Sequence, residues 1–302
     1  MKVLITGITG YIGSHLARTL LAEHEVYGIV RKPLNTTYIH DIQDRLKLFF
    51  YDGSWESMEA AVRESQPDLT YHLATYYTGG HGVKQTPELV ESNIKLGAYL
   101  LEALSAREGS ALVNASTIMA HYQGEIYRPL NLYAATKRAF SDLLAFYTDA
   151  KLIRAITLVI SDTYGPDDYR PKILNLIRSA IQNGEHISLT SGQQDYDVVY
   201  IDDVIHAFQI AGARLIKSPK TENETFHVCA LAPASLKETI EKLLEVNNLC
   251  FEAGWGERSH PAREIFQAVR VFPILPGWRQ AVSLEEGLYQ MWHGDAAAAI
   301  RP

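Results

Sequence analysis

The feature that most constrains the fold is a turn of three evenly spaced glycines near the amino terminus. An apolar run at residues 3–6 precedes it, and apolar residues at helical spacing follow from 15 to 22. Glycine permits a tight turn and a close approach to a diphosphate, while a helix amino terminus offers free N–H groups to an anion. The pattern predicts a dinucleotide-binding turn formed by Gly7, Thr9, Gly10, Tyr11, Ile12 and Gly13.

The rest of the chain extends this strand–turn–helix unit. Further strand-like runs occur at 26–30, 46–51, 69–74, 111–115 and 153–160, separated by helical stretches near 54–65, 87–106 and 132–149. Apolar strands that alternate with helices indicate a parallel sheet covered on both faces. We therefore predict an α/β fold: a Rossmann doubly wound parallel sheet with a smaller C-terminal α/β lobe. The predicted boundaries are 1–165 plus about 196–215 for the Rossmann domain, and 166–195 plus 216–302 for a substrate-binding lobe.

Composition excludes several classes of protein. The formal net charge of −7 argues against nucleic-acid binding, and no apolar run approaches the ~20 residues that span a bilayer. Cys229 and Cys250 are too few and too far apart for a zinc site or a disulfide framework. The amino terminus runs directly into the glycine turn, unlike a signal peptide. We expect a cytoplasmic protein without a metal and without a membrane or nucleic-acid partner.

The residues after the second predicted strand bear on the choice of cofactor. NAD enzymes usually place an acidic residue there for the ribose hydroxyls. In this chain the strand ends at Val30, and Arg31 and Lys32 follow. A guanidinium can pair with a 2′-phosphate, which a carboxylate would repel. The sequence therefore favours NADP(H) over NAD, the alternative being that Arg31 is a solvated loop residue.

Two other strand ends supply candidate cofactor contacts. Asp52 and Gly53 follow the third strand, where they are placed to meet the adenine, although this dipeptide is also common in turns. Leu73, Ala74 and Thr75 follow the fourth strand, beside the expected path of the diphosphate and the nicotinamide ribose.

A phenol and an ammonium four residues apart form the candidate catalytic pair. Tyr133 and Lys137 share one face of the predicted helix 132–149. A nearby cation favours the phenolate and so suits a tyrosine for carbonyl–alcohol exchange. Tyr147 and Lys151 repeat the spacing, but at the end of that helix, so we prefer the first pair. A hydroxyl at the end of the fifth strand, Thr117 in preference to Ser116, is expected to bond the substrate oxygen.

Together these residues resemble the extended short-chain dehydrogenase/reductases, the NAD(P)-dependent epimerase/dehydratase family that acts on nucleotide sugars. The resemblance is carried by the glycine turn, Asp52, Asn93, Ser116-Thr117, Tyr133-x-x-x-Lys137, Tyr164-Gly165-Pro166, residues 199–204 and residues 283–288. It implies a Rossmann lobe, a C-terminal substrate lobe, cofactor contact by Asn93, and a homodimer joined through helices near 87–106 and 132–149.

Departures from the family pattern narrow the activity. The 4,6-dehydratases usually follow the catalytic threonine with Asp-Glu, whereas Ile118 and Met119 stand here, so dehydration is disfavoured. Epimerases commonly retain NAD, whereas Arg31 favours exchangeable NADPH and a net reduction. We therefore expect a ketoreductase of a 4-keto-6-deoxy nucleotide sugar. The alternatives are a nucleotide-sugar epimerase with retained NAD, a reductase of a smaller carbonyl compound, and a non-catalytic NADP(H) sensor.

The expected substrate-diphosphate site also departs from the family. The usual Arg-Asp pair reads Tyr196-Asp197, and the usual asparagine before Tyr-Gly-Pro is Asp162. We expect other residues to contact substrate in their place: Thr75, Asp162, Arg170, Lys172, Arg258 and Arg263.

Overall fold

The computed structural model describes residues 1–218 and 223–294, and it divides the chain into two compact units. The first unit contains Met1–Ile160, Ile205–Val228 and Val271–Trp278. The second contains Ser161–Val204, Cys229–Arg270 and the described residues from Arg279 to Gly294. The predicted substrate lobe includes residues 219–222 and 295–302, which lie outside the described residues.

The first unit is built on a seven-stranded parallel sheet. Its strands are β1 (Lys2–Thr6), β2 (Glu25–Val30), β3 (Lys47–Phe50), β4 (Leu69–His72), β5 (Ala111–Thr117), β6 (Arg154–Ile160) and β10 (Asn223–Val228). Their order across the sheet is β10-β6-β5-β4-β1-β2-β3, and every pairing is parallel. The strand order therefore reverses between β1 and β4, where open α/β sheets bind their ligands. The predicted Rossmann fold is confirmed.

Helices α1 to α5 lie in the first unit. They are α1 (Tyr11–Leu20), α2 (Trp55–Ser65), α3 (Gln85–Val90), α4 (Leu96–Ser105) and α5 (Leu132–Asp149). A π-helical turn, Glu91–Lys95, joins α3 to α4. The helical stretch predicted near 87–106 is therefore continuous, but it is π-helical rather than α-helical at these five residues. A buried cluster packs α2, α4 and α5 on the sheet through Met58, Leu100, Phe140 and Leu112.

The observed units differ from the predicted boundaries at four places: residues 161–165 and 196–204 belong to the second unit, and described residues of 216–228 and of 271–278 belong to the first. The predicted substrate lobe includes residues 216–228, but β10 pairs with β6 of the first unit, with Phe226 opposite Leu158. The first half of β10, Asn-Glu-Thr, is polar, so the sequence has no continuous apolar run from which this strand could be predicted. Conversely, residues 196–204 fall in the second unit, because β9 (Val198–Tyr200) pairs with β7 (Asp162–Tyr164).

The second unit has short strands and three helices of its own. Beside β7 and β9 it contains β8 (Asp195–Tyr196), antiparallel to β11 (Ala234–Ser235), and the helices α6 (Ile173–Asn183), α8 (Leu236–Val246) and α9 (Leu284–His293). Ser188 and Gly254 also form an isolated parallel bridge.

The remaining helix, α7 (Ile201–Lys217), runs from the second unit into the first. Asp202 and Asp203 lie in its first turn, where acidic side chains favour the helix dipole. The Asp203 carboxylate accepts hydrogen bonds from the backbone N–H groups of Ala281 (2.9 Å) and Val282 (3.1 Å).

Three further features concern membranes, metals and thiols. Within residues 1–218 and 223–294, no helix has the length and apolar character to cross a bilayer. The same residues contain no group of three or more His, Cys, Asp or Glu side chains arranged to hold a metal ion. Cys229 and Cys250 are both free thiols, the first buried and the second exposed.

Candidate active site

The glycine turn joins β1 to α1 through contacts that only glycine permits. Gly7 has a φ of +75°, and a Cβ there would lie 2.6 Å from the Ala74 nitrogen. A Cβ on Gly13 would lie 2.2 Å from the Gly7 carbonyl oxygen. Gly10 caps α1 without a side chain, and the first turn has no acidic residue. The N–H groups at the start of α1 therefore remain available to an anion.

The side chains of the turn contribute unequally. Tyr11 is buried, and its ring packs edge-on against His15 and Tyr38, at centroid distances of 4.8 and 5.7 Å. Tyr11 can therefore face an anion only through its backbone. Thr9 and Ile12 are half-buried beside it.

Arg31 and Lys32 are exposed immediately after β2, as the sequence predicts. The Lys32 ammonium lies over the Phe50 ring, 5.0 Å from its centroid. Arg31 makes no hydrogen bond or ion pair with any described residue. All N–H donors of its guanidinium are therefore available to a ligand.

Asp52 has a local structural role at the end of β3. Its Oδ1 accepts hydrogen bonds from the Ser54 N–H (2.9 Å) and the Ser54 hydroxyl (2.5 Å). These bonds lower the pKa of Asp52 to about 2. Ser54 in turn caps α2, so Asp52 supports the helix start, while Gly53 has a φ of +94° and open space around it.

A hydrogen-bonded contact joins β1 to β4 where the strand order reverses. The Thr6 hydroxyl lies 2.8 Å from His72 Nδ1 and accepts from the Ala74 N–H at 3.2 Å. The Leu73 N–H donates to the Thr6 carbonyl at 3.1 Å. Burial, assisted by the charge of Lys137, lowers the pKa of His72 to about 3, so this imidazole is neutral near pH 7.

Asn93, expected from the resemblance to contact the cofactor, has all its bonds within the protein. Its Oδ1 accepts from the Thr75 hydroxyl (3.1 Å) and the Tyr76 N–H (2.7 Å). Its Nδ2 donates to the Tyr76 carbonyl (3.0 Å) and the Thr136 hydroxyl (2.9 Å). The buried amide therefore fixes the loop after β4 to α5.

Tyr133 and Lys137 lie one turn apart on α5, whose start is capped by the Asn131 side chain. The Tyr133 ring contacts the edge of Tyr77, with centroids 4.9 Å apart. Lys137 is only 4% exposed and has no hydrogen-bond acceptor among the described residues. Burial lowers its pKa to about 8. An ammonium buried without a protein partner is costly unless a ligand supplies one.

The two hydroxyls at the end of β5 differ in their bonding. The Thr117 hydroxyl accepts from the Met119 N–H at 3.3 Å and so caps a short 3₁₀ turn, Ile118–Ala120. Ser116 is equally buried, and its hydroxyl has no partner among the described residues. Thr117 still has a proton to donate, so both hydroxyls remain candidates for bonding a substrate oxygen.

The repeated spacing at Tyr147 and Lys151 does not form a second pair. The Tyr147 hydroxyl donates to Glu102 Oε2 at 2.6 Å, and its pKa is raised to about 12 by burial and by that carboxylate. Lys151 lies beyond the end of α5, with a φ of +59°. This geometry favours Tyr133 as the candidate proton donor.

In the second unit, Asp162, Arg170 and Lys172 form a neutralised network. Lys172 pairs with Asp162 Oδ1, and Arg170 makes a two-pronged ion pair with Asp168 at 2.6 and 2.7 Å. Burial alone would raise the pKa of Asp162, but Lys172, Arg170 and the Tyr196 hydroxyl together hold it below its ordinary value. Both cations are thus already paired with carboxylates, so a phosphate at either one would compete with an existing ion pair.

The other two cations expected to contact substrate are exposed in the same unit. Arg258 has no side-chain partner among the described residues, and its backbone N–H donates to the Leu189 carbonyl at 3.0 Å. Arg263 is also exposed. Among the four cationic side chains expected to contact substrate, Arg258 is therefore the one whose guanidinium N–H groups are not used by another described residue.

Three supporting residues escaped the sequence analysis. Asn131 directly precedes α5, and a helix-capping signal could have identified it. Thr136, on α5, accepts a hydrogen bond from Asn93 Nδ2 and donates one to the Tyr133 carbonyl at 2.7 Å. Tyr77 contacts Tyr133 from a loop 56 positions earlier in the chain. A contact between residues this far apart cannot be predicted from a local sequence pattern.

Comparison with known proteins places this site in a family. Residues 3–229 match the NAD dependent epimerase/dehydratase family. The CDP-abequose synthase of Yersinia pseudotuberculosis is 26% identical, over 84% of this chain and 88% of that protein. The CDP-abequose synthase of Salmonella muenchen is 24% identical, over 96% of both chains.

Solved structures show the same fold at lower sequence identity. The UDP-glucuronic acid 4-epimerase from Bacillus cereus, in complex with UDP-glucuronic acid and NAD, has a TM-score of 0.83 at 23% identity, covering 99% of this chain and 100% of that one. The UDP-glucose 4-epimerase of Thermotoga maritima, with UDP-glucose, also has a TM-score of 0.83, at 21% identity with the same coverage. With the family match over three quarters of its length, this chain belongs to the NAD dependent epimerase/dehydratase family.

Proposed function

We propose that this enzyme reduces the keto group of a nucleotide sugar, with NADPH as the reductant. The substrate that we favour is a 4-keto-6-deoxy nucleotide sugar. The observation that carries the proposal is the pair on α5: Tyr133, and a buried Lys137 whose ammonium has no acceptor in the described protein. The two relatives named CDP-abequose synthase, aligned along most of this chain, support a nucleotide-sugar substrate.

The residues present fit a bound dinucleotide. The uncapped first turn of α1 offers N–H groups to the diphosphate, and Lys137 offers an ammonium to the ribose hydroxyls. Arg31 offers an unpaired guanidinium to a 2′-phosphate. When bound, NADPH supplies the hydride for the reduction.

The protein's own part in the reaction is to move one proton and to hold the carbonyl. Tyr133 donates its phenolic proton to the substrate oxygen, and the positive charge of Lys137 favours the phenolate that remains. The hydroxyl of Thr117, or of Ser116, bonds the same oxygen and orients it. Asn93 keeps α5 and the loop after β4 in register through its four hydrogen bonds.

A nucleotide-sugar epimerase that retains NAD is the second candidate. The family description and the NAD-bound Bacillus cereus structure favour it. It predicts that the purified protein carries firmly bound NAD, whereas the reductase predicts an exchangeable NADPH site. Denaturing the purified protein and identifying any released dinucleotide by mass spectrometry separates the two.

Changing Arg31 to aspartate tests the cofactor preference. The ratio of kcat/KM for NADPH to that for NADH is expected to fall by about 10–100-fold, since a charge-assisted hydrogen bond contributes roughly 1.5–3 kcal/mol. The measurement is steady-state reduction of one keto sugar with each cofactor in turn.

Lys217→Asp provides a matched control. It makes the same change of charge at an exposed position that has no partner in the described chain. The neighbouring residue Ile216 lines a cleft of about 420 Å³ together with Met1, Asp68 and Ser110. This cleft lies at the amino-terminal edge of the sheet, whereas Arg31 follows the carboxyl end of β2, so the control changes a charge at the opposite edge. The cofactor ratio is expected to stay unchanged in this control. An unchanged ratio in Arg31→Asp would show that Arg31 does not contact the 2′-phosphate.

A further inference from the structure

A serine, a histidine and a glutamate of the second unit are connected in series by hydrogen bonds. The Ser191 hydroxyl lies 3.0 Å from His260 Nε2, and Glu264 bonds the other ring nitrogen, Nδ1. Each ring nitrogen therefore has one partner. This is the order of groups by which serine hydrolases activate their nucleophile.

The bonding fixes the direction in which the serine proton can move. A carboxylate can only accept, so Nδ1 of the neutral ring carries the proton and Nε2 is left as an acceptor. The Ser191 hydroxyl then donates to Nε2, as a general base requires. Glu264 is 16% exposed and His260 is 27% exposed, so the orienting carboxylate is well shielded while the imidazole remains partly open to solvent.

The backbone on both sides of Ser191 is held by hydrogen bonds to distant parts of the chain. The Thr190 carbonyl accepts from the Gly256 N–H at 3.1 Å, and the Gly192 carbonyl accepts from the Lys237 N–H at 2.9 Å. Gly192 has a φ of +72°, and a Cβ there would lie 2.4 Å from the Trp255 ring. Glycine is therefore required immediately after the serine.

Two backbone donors follow the serine directly. In the described chain, the N–H groups of Gly192 and Gln193 have no acceptor. Unpaired N–H groups beside a nucleophile can stabilise the negative oxygen of a tetrahedral intermediate. Ser191 thus has a base, an orienting group for that base and candidate oxyanion donors, which are the groups that acyl transfer requires.

A second cluster of the same three residue types provides an internal comparison. Ser188 and His186 Nε2 both bond one oxygen of Glu257, at 2.5 and 2.7 Å, and the serine lies 3.5 Å from the histidine. The Ser188 proton is directed to the carboxylate, and the imidazole is not placed to remove it. The presence of serine, histidine and glutamate is therefore not sufficient, and the serial order at Ser191 distinguishes the two clusters.

We propose that Ser191, His260 and Glu264 form a second reactive site that hydrolyses carboxylic esters. The Ser191 oxygen forms a bond to the ester carbonyl carbon, its proton passes to His260, and the carbon–oxygen bond to the alcohol breaks as His260 returns the proton to the leaving oxygen. Water then attacks the acyl-serine by the same route and releases the acid and free Ser191. This proposal does not rest on the reductase activity.

The test is covalent labelling of the full chain with a fluorophosphonate, which forms a phosphorus–oxygen bond to an activated serine and releases fluoride. Peptide mass spectrometry is expected to locate the adduct on Ser191. The labelling rate should fall by about 10²-fold or more in His260→Gln, because a general base contributes typically 10²–10⁴-fold. Hydrolysis of p-nitrophenyl butyrate should be lost in Ser191→Ala.

The Ser188→Ala variant is the matched control and should keep both labelling and ester hydrolysis. Thermal unfolding of each variant establishes that it is folded. The proposal is overturned if Ser191 carries no adduct, if Ser188 is labelled as fast, if folded His260→Gln is labelled at the original rate, or if folded Ser191→Ala still hydrolyses the ester.

Discussion

Replacing Tyr133 with phenylalanine is expected to lower kcat for keto-sugar reduction by about 10²–10⁴-fold, the usual contribution of a positioned general acid. The ring and its edge contact with Tyr77 are retained, so the variant loses only the hydroxyl. Because the phenol acts on the reacting oxygen, the affinity for NADPH should change little. Steady-state kinetics and NADPH titration of the same preparation measure the two effects separately.

Tyr147→Phe is the control on the same helix. It removes a hydroxyl that donates to Glu102 and that has the same spacing to a lysine. Its kcat should stay close to that of the unaltered enzyme. Turnover by Tyr133→Phe close to the original value would show that another group donates the proton.

Replacing Lys137 with methionine is expected to stabilise the free protein at pH 7 while severely lowering kcat. The ammonium is buried without an acceptor in the described chain, and burial lowers its pKa from an ordinary 10.5 to about 8. That difference corresponds to about 3 kcal/mol of unfavourable free energy for the charged form. Methionine fills a similar space without a charge, so the free energy of unfolding should rise by about that amount.

The sign of the pH dependence follows from proton binding. Between pH 8 and 10.5 the unfolded chain holds a proton on Lys137 and the folded chain does not, so stability rises with pH across this window. Below about pH 8 the whole penalty is present. The advantage of Lys137→Met should therefore be full at pH 7 and shrink as the pH approaches 10.5.

Urea unfolding of both proteins at pH 7 and at pH 10 measures this difference. Lys217→Met, at an exposed position, is the control and should change the free energy of unfolding by no more than about 0.5 kcal/mol. If Lys137→Met were destabilised at pH 7, the ammonium would have to have a partner that stabilises it in the free protein.

The parts of the fold that local patterns encode were predicted from the sequence. The strand–turn–helix at Gly7 to Gly13 and the alternation through β6 depend on residues close in the chain, so periodicity and glycine placement suffice. The start of α5 at Leu132 and the placement of Tyr133 and Lys137 on one face follow in the same way.

The remainder depends on pairings between distant residues. Half of β10 is polar, and its place in the sheet is fixed by its partner β6. In the sequence Asn93 is only one residue of a predicted helical stretch, but its side chain forms hydrogen bonds with Thr75, Tyr76 and Thr136. Lys172 looks like an available cation until the structure places Asp162 of β7 against it. A charge in a sequence does not reveal whether a tertiary contact already neutralises it.

Transfer of hydride from NADPH to a nucleotide sugar is the most direct test of the proposed function. The purified protein would be incubated with NADPH carrying deuterium at the transferable C4 position and with a CDP-linked 4-keto-6-deoxy sugar. One deuterium is expected in the product sugar for each NADP⁺ released, and both products should form about 10²–10⁴-fold more slowly in Tyr133→Phe. No NADPH oxidation with this substrate, together with interconversion of UDP-glucose and its 4-epimer through firmly bound NAD, would contradict the proposed function.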